Sequence, residues 1–334
     1  KTDAQYYYYA TKIFTEIKSF ESATESLEKL LSINDSFYNS EIKLNYKNLE
    51  DNLVVALVNS AVSDNSEKKW MDGVNKLLLA YEMDKEKNID YLYFAASGAI
   101  NAQEYDKALE FYLLLKEMNY TGVKDEFFIT NIETGLEEKV TETEYKIYQS
   151  SKEYANPRIG QTESRYPEIV KNIALIYVRK GDDDLAIEAI NEARSIQPDD
   201  LYLLLNEADL YIRLSNNAED DNLRSQYRQK FKEIMKLAVE KDPENGILYY
   251  NLGIISSEQG ESLDARSYFE KAIEYKPDYI DSYVAIVNII LQEQTKIIEE
   301  MDKIAMSNKR SDILKYDALK DDLNSVWSSC IPYC

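Results

Sequence analysis

Of the residue types that commonly do acid–base or metal chemistry, this sequence has many carboxylates but lacks histidine. It contains no histidine, so the commonest general base and the commonest transition-metal ligand are both missing. Carboxylates are plentiful, and the acidic runs at 182–184 and 219–221 have the composition of a cation site. Neither run has the glycine and ligand spacing of an EF-hand loop. The first run follows Gly181, where acidic side chains complement the dipole of a starting helix. We therefore expect no metal site.

Signatures of catalysis are also missing from the sequence. There is no G-x-S-x-G, no P-loop, no H-E-x-x-H and no dinucleotide fingerprint. Cys330 and Cys334 form a C-x3-C pair, which is half of a zinc site at best, and two core positions explain the pair more simply. They build no disulfide framework and do not fix the compartment. We predict no catalytic residues, no cofactor and no enzymatic activity. An enzyme would need a domain outside these residues.

The charge restricts the class of partner. The chain has 334 residues and a formal net charge of −22. Binding to the phosphate backbone of nucleic acid needs a basic face, which this composition does not readily supply. The charge is compatible with a basic partner, but a role in keeping the protein dispersed in water explains it more simply. No apolar run approaches 18 residues, so the sequence predicts no membrane-spanning segment.

The elements of the chain are best specified over residues 246–279. Glycine costs roughly 1 kcal/mol relative to alanine inside a helix, so Gly253 predicts the close approach of a second helix. That second helix should present Ala265, Phe269 and Ala272 on one face. Gly260 should form the turn between the helices, and Pro277 should end the second helix. The sequence thus predicts a 34-residue antiparallel helix pair whose open apolar face needs a neighbouring pair.

This spacing closely resembles the tetratricopeptide repeat (TPR) family. The resemblance implies an all-α solenoid, a right-handed superhelix of antiparallel helix pairs. Imperfect copies define an N-terminal block over residues 1–122 with three degenerate repeats. A C-terminal block over 166–334 has repeats at 167–200, 201–245 and 246–279 and an incomplete one from 280, which would contain the two cysteines. In the repeat at 201–245 the last two positions of the repeat pattern, Ala238 and Pro243, come 11 residues later than the repeat spacing requires. We therefore expect residues 216–226 to lengthen the turn between its helices.

The segment 123–165 does not fit the repeat. Its β-branched and aromatic residues over 127–140 surround a turn signal at 131–135, which predicts a short β-hairpin. Asn156, Pro157 and Gly160 predict a loop before the helices resume. Two interpretations of this irregular insertion stay open, a connector between the two blocks and a contact surface for a partner.

The TPR resemblance implies partner binding on a concave surface lined by the first helix of each pair. It transfers seven partner-binding candidates to this sequence: Tyr93, Lys171, Arg179, Tyr202, Asp209, Arg213 and Tyr250. The further positions of the same surface are Asp90, Ser97, Ile100, Asn101, Glu168, Leu175, Val178, Leu205, Ile212, Ile247, Ile254, Ser257 and Glu258. Tyrosine suits recognition surfaces, although 28 tyrosines make its recurrence here unsurprising. The clamp by which some TPR domains hold chaperone C-termini is disfavoured, because Leu175, Ile247 and Asn251 occupy three of its five positions.

From these residues the hypothesis is that Lys171, Arg179 and Arg213, with the three tyrosines, hold an extended or helical peptide. The predicted function is a non-enzymatic scaffold or adaptor for protein partners. The alternative is a structural subunit of a larger assembly, which contacts its partners through the insertion or the convex face. In layout the chain resembles multi-repeat TPR proteins exported to bacterial cell envelopes, which implies a periplasmic or envelope location, with the cytoplasm as the alternative.

Overall fold

The computed structural model describes residues 2–33 and 40–333. Packing divides the chain into two compact units, unit 1 (Lys1–Lys180) and unit 2 (Gly181–Cys334). The predicted fold class is confirmed: the described residues form successive helix pairs with one irregular insertion. No helix in these ranges combines the length and the apolar character needed to cross a bilayer. The division of the chain into two repeat blocks around the insertion stays a prediction.

Unit 1 contains three helix pairs, the insertion and one further helix. Its helices are α1 (Thr2–Glu16), α2 (Phe20–Ser32), α3 (Ser40–Ser66), α4 (Trp70–Met83), α5 (Ile89–Asn101), α6 (Tyr105–Glu117), α7 (Glu142–Tyr148) and α8 (Tyr166–Lys180). Each of the first three pairs packs together, and α6 packs against α8 across the insertion. Apolar side chains at helical spacing fill these contacts.

Unit 2 continues with helix pairs. Its helices are α9 (Asp183–Ile196), α10 (Leu201–Asn217), α11 (Asp221–Lys241), α12 (Gly246–Glu258), α13 (Ser262–Tyr275), α14 (Ile280–Ile304) and α15 (Arg310–Cys330), followed by a short 3-10 helix, Ile331–Tyr333. Where the sequence predicts a partial repeat from residue 280, the structure has two long helices. Cys330 is the last residue of α15 and packs, half-buried, beside Phe269 and Ile286. Cys334 lies outside the described residues.

The pair α12/α13 has the predicted internal packing. Ala265, Phe269 and Ala272 are all buried. A methyl group at Gly253 would lie 2.5 Å from the Phe269 ring, which confirms that this glycine permits the close approach of the second helix. Gly260 has a φ of +78° in the turn, a conformation that glycine adopts without steric cost.

The predicted long turn in the repeat at 201–245 is wrong. Helix α10 runs to Asn217 and α11 begins at Asp221, so three residues connect them. The extra residues instead lengthen both helices, to 17 and 21 residues, against 13 and 14 in α12 and α13. Asp220 caps α11, because its carboxylate accepts the backbone N–H of Leu223 at 2.8 Å. The acidic run at 219–221, which was predicted to lie in a turn, therefore lies at the capped start of α11.

The insertion folds as a three-stranded antiparallel sheet with one helix. Its strands are β1 (Asp125–Asn131), β2 (Glu137–Val140) and β3 (Tyr154–Gln161), in the order β2-β1-β3. The predicted hairpin is confirmed as β1 and β2, but the loop predicted at Asn156, Pro157 and Gly160 is wrong, because these residues belong to β3. Proline is tolerated there since β3 is an edge strand. Asn156 has a φ of +51° where the pairing with β1 shifts register, which is the geometry of a β-bulge.

The two faces of the sheet have different partners. Phe127 packs on Tyr145 of α7, with ring centroids 5.1 Å apart, and Ile129 is fully buried on the same side. On the other face Arg158 of β3 lies over the Phe128 ring and donates two hydrogen bonds to Glu137 of β2, at 3.0 and 2.8 Å. This bidentate pair joins the two edge strands across the central one.

The ends of the insertion meet at a hydrogen-bonded neck. The Arg165 N–H donates to the Thr121 carbonyl at 2.8 Å, and the Thr162 N–H donates to the Lys124 carbonyl at 2.9 Å. Tyr120 lies next to this neck, shortly after the end of α6. Its buried hydroxyl donates to the Asp90 carboxylate, so it fastens the end of α6 to the start of α5. The insertion therefore leaves and rejoins the helices at nearly one point.

Candidate functional site

A groove in unit 2 lies between the two first helices α10 and α12. It has a volume of about 470 Å³, and we call it the α10–α12 groove. Its walls come from α10 and α12, and its floor comes largely from α11. The lining residues are Leu205, Ala208, Asp209, Ile212, Asn216, Phe231, Met235, Asn251, Ile254, Ile255 and Glu258. Five of them occupy positions that the TPR resemblance assigned to a partner-binding surface: Leu205, Asp209, Ile212, Ile254 and Glu258.

Helical periodicity explains why these residues share one groove. Residues three, four or seven positions apart lie on the same helix face. On α10 the spacing brings Leu205, Asp209, Ile212 and Asn216 into one stripe. The α12 stripe repeats this arrangement with Asn251, Ile254, Ile255 and Glu258. The walls therefore alternate apolar and polar side chains along their length.

The floor of the groove is buried and fixed. Phe231 and Met235 lie one helical turn apart on α11, and both are buried in a cluster with Leu252. The neighbouring Lys232 is only 6% exposed, and its ammonium donates to the Glu261 carboxylate and, at 3.1 Å, to the Gln259 amide oxygen. A buried ammonium needs such partners. These contacts hold α11 against the turn that follows α12, so the floor and one wall are fixed relative to each other.

The electrostatic character of the α10–α12 groove is acidic. Asp209 is exposed, and its carboxylate makes no hydrogen bond or ion pair with the residues that the structure describes. Glu258, on the opposite wall, lies 3.3 Å from the Arg228 guanidinium of α11. Arg228 also donates to the Ser215 hydroxyl at 3.3 Å. Among the lining residues there are two carboxylates and no cationic side chain.

The other predicted residues of unit 2 are not among the residues that line this groove, and they differ in exposure. Tyr202, in the first turn of α10, is 59% exposed. Tyr250 is half-buried, with its ring 4.8 Å from that of Tyr279, and burial raises the pKa of its hydroxyl. Arg213 donates to the Asp183 carboxylate of α9 at 2.6 Å. The structure thus gives Arg213 an intramolecular partner that sequence reasoning did not assign.

The predicted residues of unit 1 lie on α5 and α8. Tyr93 is 8% exposed, and its hydroxyl donates to the Glu168 carboxylate at 2.7 Å. Burial, reinforced by this hydrogen bond, raises the pKa of Tyr93 well above its usual value. The Arg165 guanidinium covers its ring at 4.5 Å. The covered position of Tyr93 does not favour a contact with a partner. Such a contact stays a prediction.

The two predicted basic residues of α8 also have distinct surroundings. Arg179 is exposed in the last turn of α8, with its guanidinium 4.7 Å from the centre of the Tyr105 ring. That distance is typical of a cation–π contact. Lys171 lies two turns earlier and is half-buried. Their role in partner binding stays a prediction.

Sequence reasoning missed the floor of the groove. Phe231 and Met235 belong to a second helix, whereas the family surface is assigned from first helices. The signal that could have found them is a pair of large apolar residues four positions apart on α11. At the same spacing α13 has one small residue, Ala265, and one large residue, Phe269. Asn216 was missed because it was assigned to an extended turn.

The acidic runs act at the starts of helices. Asp183 in the first turn of α9 accepts from Arg213, and Asp221 in the first turn of α11 pairs with Arg224. Over residues 2–33 and 40–333, no three or more cysteine, aspartate or glutamate side chains are grouped closely enough to hold a metal ion. Helix capping and ion pairing account for both runs.

Comparison with known proteins identifies the repeats. The family model "Tetratricopeptide repeat" matches residues 172–200 and 247–279. These two stretches of the chain are therefore similar to tetratricopeptide repeats.

Two curated relatives and two solved structures resemble the chain. The protein O-mannosyl-transferase TMTC1 of Homo sapiens is 27% identical over 111 residues, 33% of this chain and 12% of that protein. The Mus musculus protein is 27% identical over 120 residues, 36% of this chain and again 12% of the relative. This chain thus spans about an eighth of the length of these relatives. YrrB, described as a TPR protein with an unusual peptide-binding site, is 14% identical, with 74% of this chain and 97% of YrrB covered and a TM-score of 0.42. A TPR protein from Parabacteroides merdae is 15% identical, with 96% and 100% covered and a TM-score of 0.38.

Proposed function

We propose that this protein is a non-enzymatic interaction scaffold that binds a peptide or helix of a protein partner in the α10–α12 groove. The observation that carries the proposal is the groove itself. It combines apolar side chains (Leu205, Ile212 and Ile254) with a few polar side chains on the same walls. Such a combination is typical of peptide-recognition grooves, in which apolar pockets give affinity and polar groups fix orientation.

The size of the groove sets the length of the bound segment. Asn216 lies eleven positions after Leu205 on α10, so this wall is about 16 Å long at 1.5 Å per residue. An extended peptide rises about 3.3 Å per residue, so roughly five residues lie within the groove. A helical segment would place about three turns along the same wall.

Site-specific photo-crosslinking tests this proposal. A benzoylphenylalanine at position 254 lies on the α12 wall, while the same residue at Ile280 reports on an exposed isoleucine outside the groove. We expect partner crosslinks in the native cells from position 254 and none from position 280. Ile254→Ser should weaken recovery of the same partner, whereas the matched Ile280→Ser should not. Equal crosslinking from both positions would contradict binding in the groove.

The exposed apolar residues of the insertion favour the second candidate function, a structural subunit of a larger assembly. Ile132 and Leu136 at the hairpin turn, Ile147 on α7 and Ile159 on β3 are all more than half exposed. Exposed apolar side chains that form a patch mark protein contacts, and these four lie within one insertion. A crosslinker at Ile147 that captures the partner, with none captured from position 254, would support this alternative.

The proposal includes no enzymatic activity for this chain. The transferase activity in the name of TMTC1 is not transferred to it, because the similarity covers only 12% of the length of TMTC1. Membership of a larger complex and a periplasmic or cell-envelope location belong to the same proposal. The location rests on the layout of degenerate repeats with an insertion, and fractionation of the native cells tests it against the cytoplasm.

A further inference from the structure

The α10–α12 groove also indicates the chemistry of its occupant. Resting on the proposed function, we infer that the partner segment is cationic and apolar: an extended peptide that places an aliphatic side chain between Ile212 and Ile254 and a lysine or arginine beside Asp209. This differs from the hypothesis that basic residues of the repeats hold the peptide.

The carboxylates of the groove carry the first step of the argument. Asp209 is exposed on the α10 wall and has no partner among the described residues, so a cation on the peptide can approach it without displacing an existing ion pair. Glu258 adds a second carboxylate on the facing wall, held at 3.3 Å from Arg228. No lining residue supplies a positive charge that would attract an acidic peptide. Opposite charges across an interface favour encounter and suppress wrong partners.

The basic residue that follows Ile212 on the α10 wall is already engaged. Arg213 follows Ile212 on α10 and donates to the Asp183 carboxylate of α9 at 2.6 Å. An acidic peptide that recruited Arg213 would have to compete with this contact. A cationic peptide leaves it intact and gains from the formal charge of −22 on the whole chain, which draws cations toward the surface.

The polar side chains at the two ends of the groove suit an extended backbone. Asn251 lies toward one end and Asn216 toward the other, and neither amide is hydrogen-bonded within the described residues. A side-chain amide both donates and accepts, so it can pair with a peptide group in either direction. The apolar residues Ile212 and Ile254 also line the groove and can contact an aliphatic side chain of the peptide.

Selection from a peptide library tests the inference with the full-length chain. A random seven-residue library displayed on phage is selected against the immobilised wild-type protein. We expect enriched sequences to combine lysine or arginine with leucine, isoleucine or valine. A synthetic peptide of the enriched sequence is then titrated by fluorescence anisotropy against the wild type, Asp209→Asn and Glu240→Gln. Glu240 is an exposed carboxylate of α11 outside the groove, so its variant is the matched control.

The expected result is a three- to fivefold weaker affinity for Asp209→Asn, because a partly exposed ion pair contributes about that much. Glu240→Gln should bind like the wild type, and added salt should weaken the wild type more than Asp209→Asn. Circular dichroism confirms that each variant is folded. Enriched peptides without basic residues, or equal affinity for Asp209→Asn and the wild type, would overturn the inference.

The same experiment separates this inference from the proposed function. If enriched peptides bind without a basic preference but lose affinity in Ile254→Ser, the groove binds peptides and only the inferred chemistry is wrong. If no peptide is enriched, or if Ile254→Ser has no effect, the proposed function is contradicted and the inference is overturned with it.

Discussion

Gly253 shows how one residue controls the packing of a helix pair. In the middle of α12 it leaves space that the Phe269 ring of α13 occupies, because a Cβ at this position would lie 2.5 Å from the ring. Gly253→Ala should therefore lower the free energy of unfolding by up to about 2 kcal/mol. Overpacking costs roughly 1 to 3 kcal/mol, while the gain in helix propensity returns about 1. Urea denaturation followed by circular dichroism measures the difference.

A double-mutant cycle distinguishes this clash from other effects of the substitution. Phe269→Leu removes the ring edge that faces Gly253. Gly253→Ala should then cost less in the Phe269→Leu background than in the wild type, since contacting residues show non-additive effects. An identical cost in both backgrounds would mean that the Phe269 ring is not the cause.

The buried carboxyl of Glu207 should make stability depend on pH. Burial raises the pKa of Glu207 above its usual 4.5, and Arg194, which donates to it at 2.8 Å, offsets only part of this effect. A raised pKa means that the folded state binds the proton more tightly than the unfolded state. The stabilising contribution is thus complete below the unfolded pKa and is lost as the pH rises through the folded pKa.

Comparison with Glu207→Gln isolates this contribution. The stability of the wild type minus that of the variant should fall as the pH is raised from 5 toward 8. Glu240→Gln, at an exposed site on the same unit, is the matched control. Urea unfolding at each pH measures both differences. A difference for Glu207→Gln that rises with pH would reverse the sign assigned to its pKa shift.

At the scale of elements, the sequence predicts the helix pairs better than the insertion. Small residues at fixed spacing determine close packing locally, so α12 and α13 could be predicted. Strand β3 could not, because Asn156, Pro157 and Gly160 are turn formers, and only pairing with β1 makes them a strand. Pairing joins residues that are far apart in the sequence, such as Asn131 with Tyr154 and Phe128 with Arg158, and no local pattern contains that information.

The candidate site was predictable in position but not in charge. The family spacing assigned Asp209, Ile212 and Ile254 to one surface, and all three line the groove. It could not show that Arg213 is engaged by Asp183, 30 residues earlier, because that contact depends on how α9 packs against α10. Tyr93 likewise could not be recognised as covered without the position of Arg165.

The neck of the insertion predicts that it can be removed as a unit. Replacement of residues 125–161 by a short glycine–asparagine turn keeps the paired backbone of Lys124 and Thr162. We expect the helical circular dichroism per remaining helical residue to be retained and the melting temperature to change by only a few degrees, since closing a short loop costs little. Loss of cooperative unfolding would show that the sheet is needed for the helices of unit 1.

The whole molecule carries an excess of negative charge, 61 acidic against 39 basic residues. Repulsion among these carboxylates acts over about 30 Å at 0.01 M salt but only about 8 Å at 0.15 M. The melting temperature should therefore rise by a few degrees as sodium chloride is increased across this range. Calorimetry measures the shift. A melting temperature that falls with salt would indicate that the surface ion pairs outweigh the net repulsion.

The lengthening of α10 and α11 has a consequence for how this kind of chain changes during evolution. Relative to α12 and α13 the two helices gain four and seven residues, which are close to one and two whole turns at 3.6 residues per turn. An indel of whole turns keeps the core-facing register of every later side chain. Natural selection can thus adjust the reach of one pair without redesigning its interior. The tetratricopeptide repeat model has a fixed period. It matches the repeats on both sides, at 172–200 and 247–279, but not the elongated pair between them.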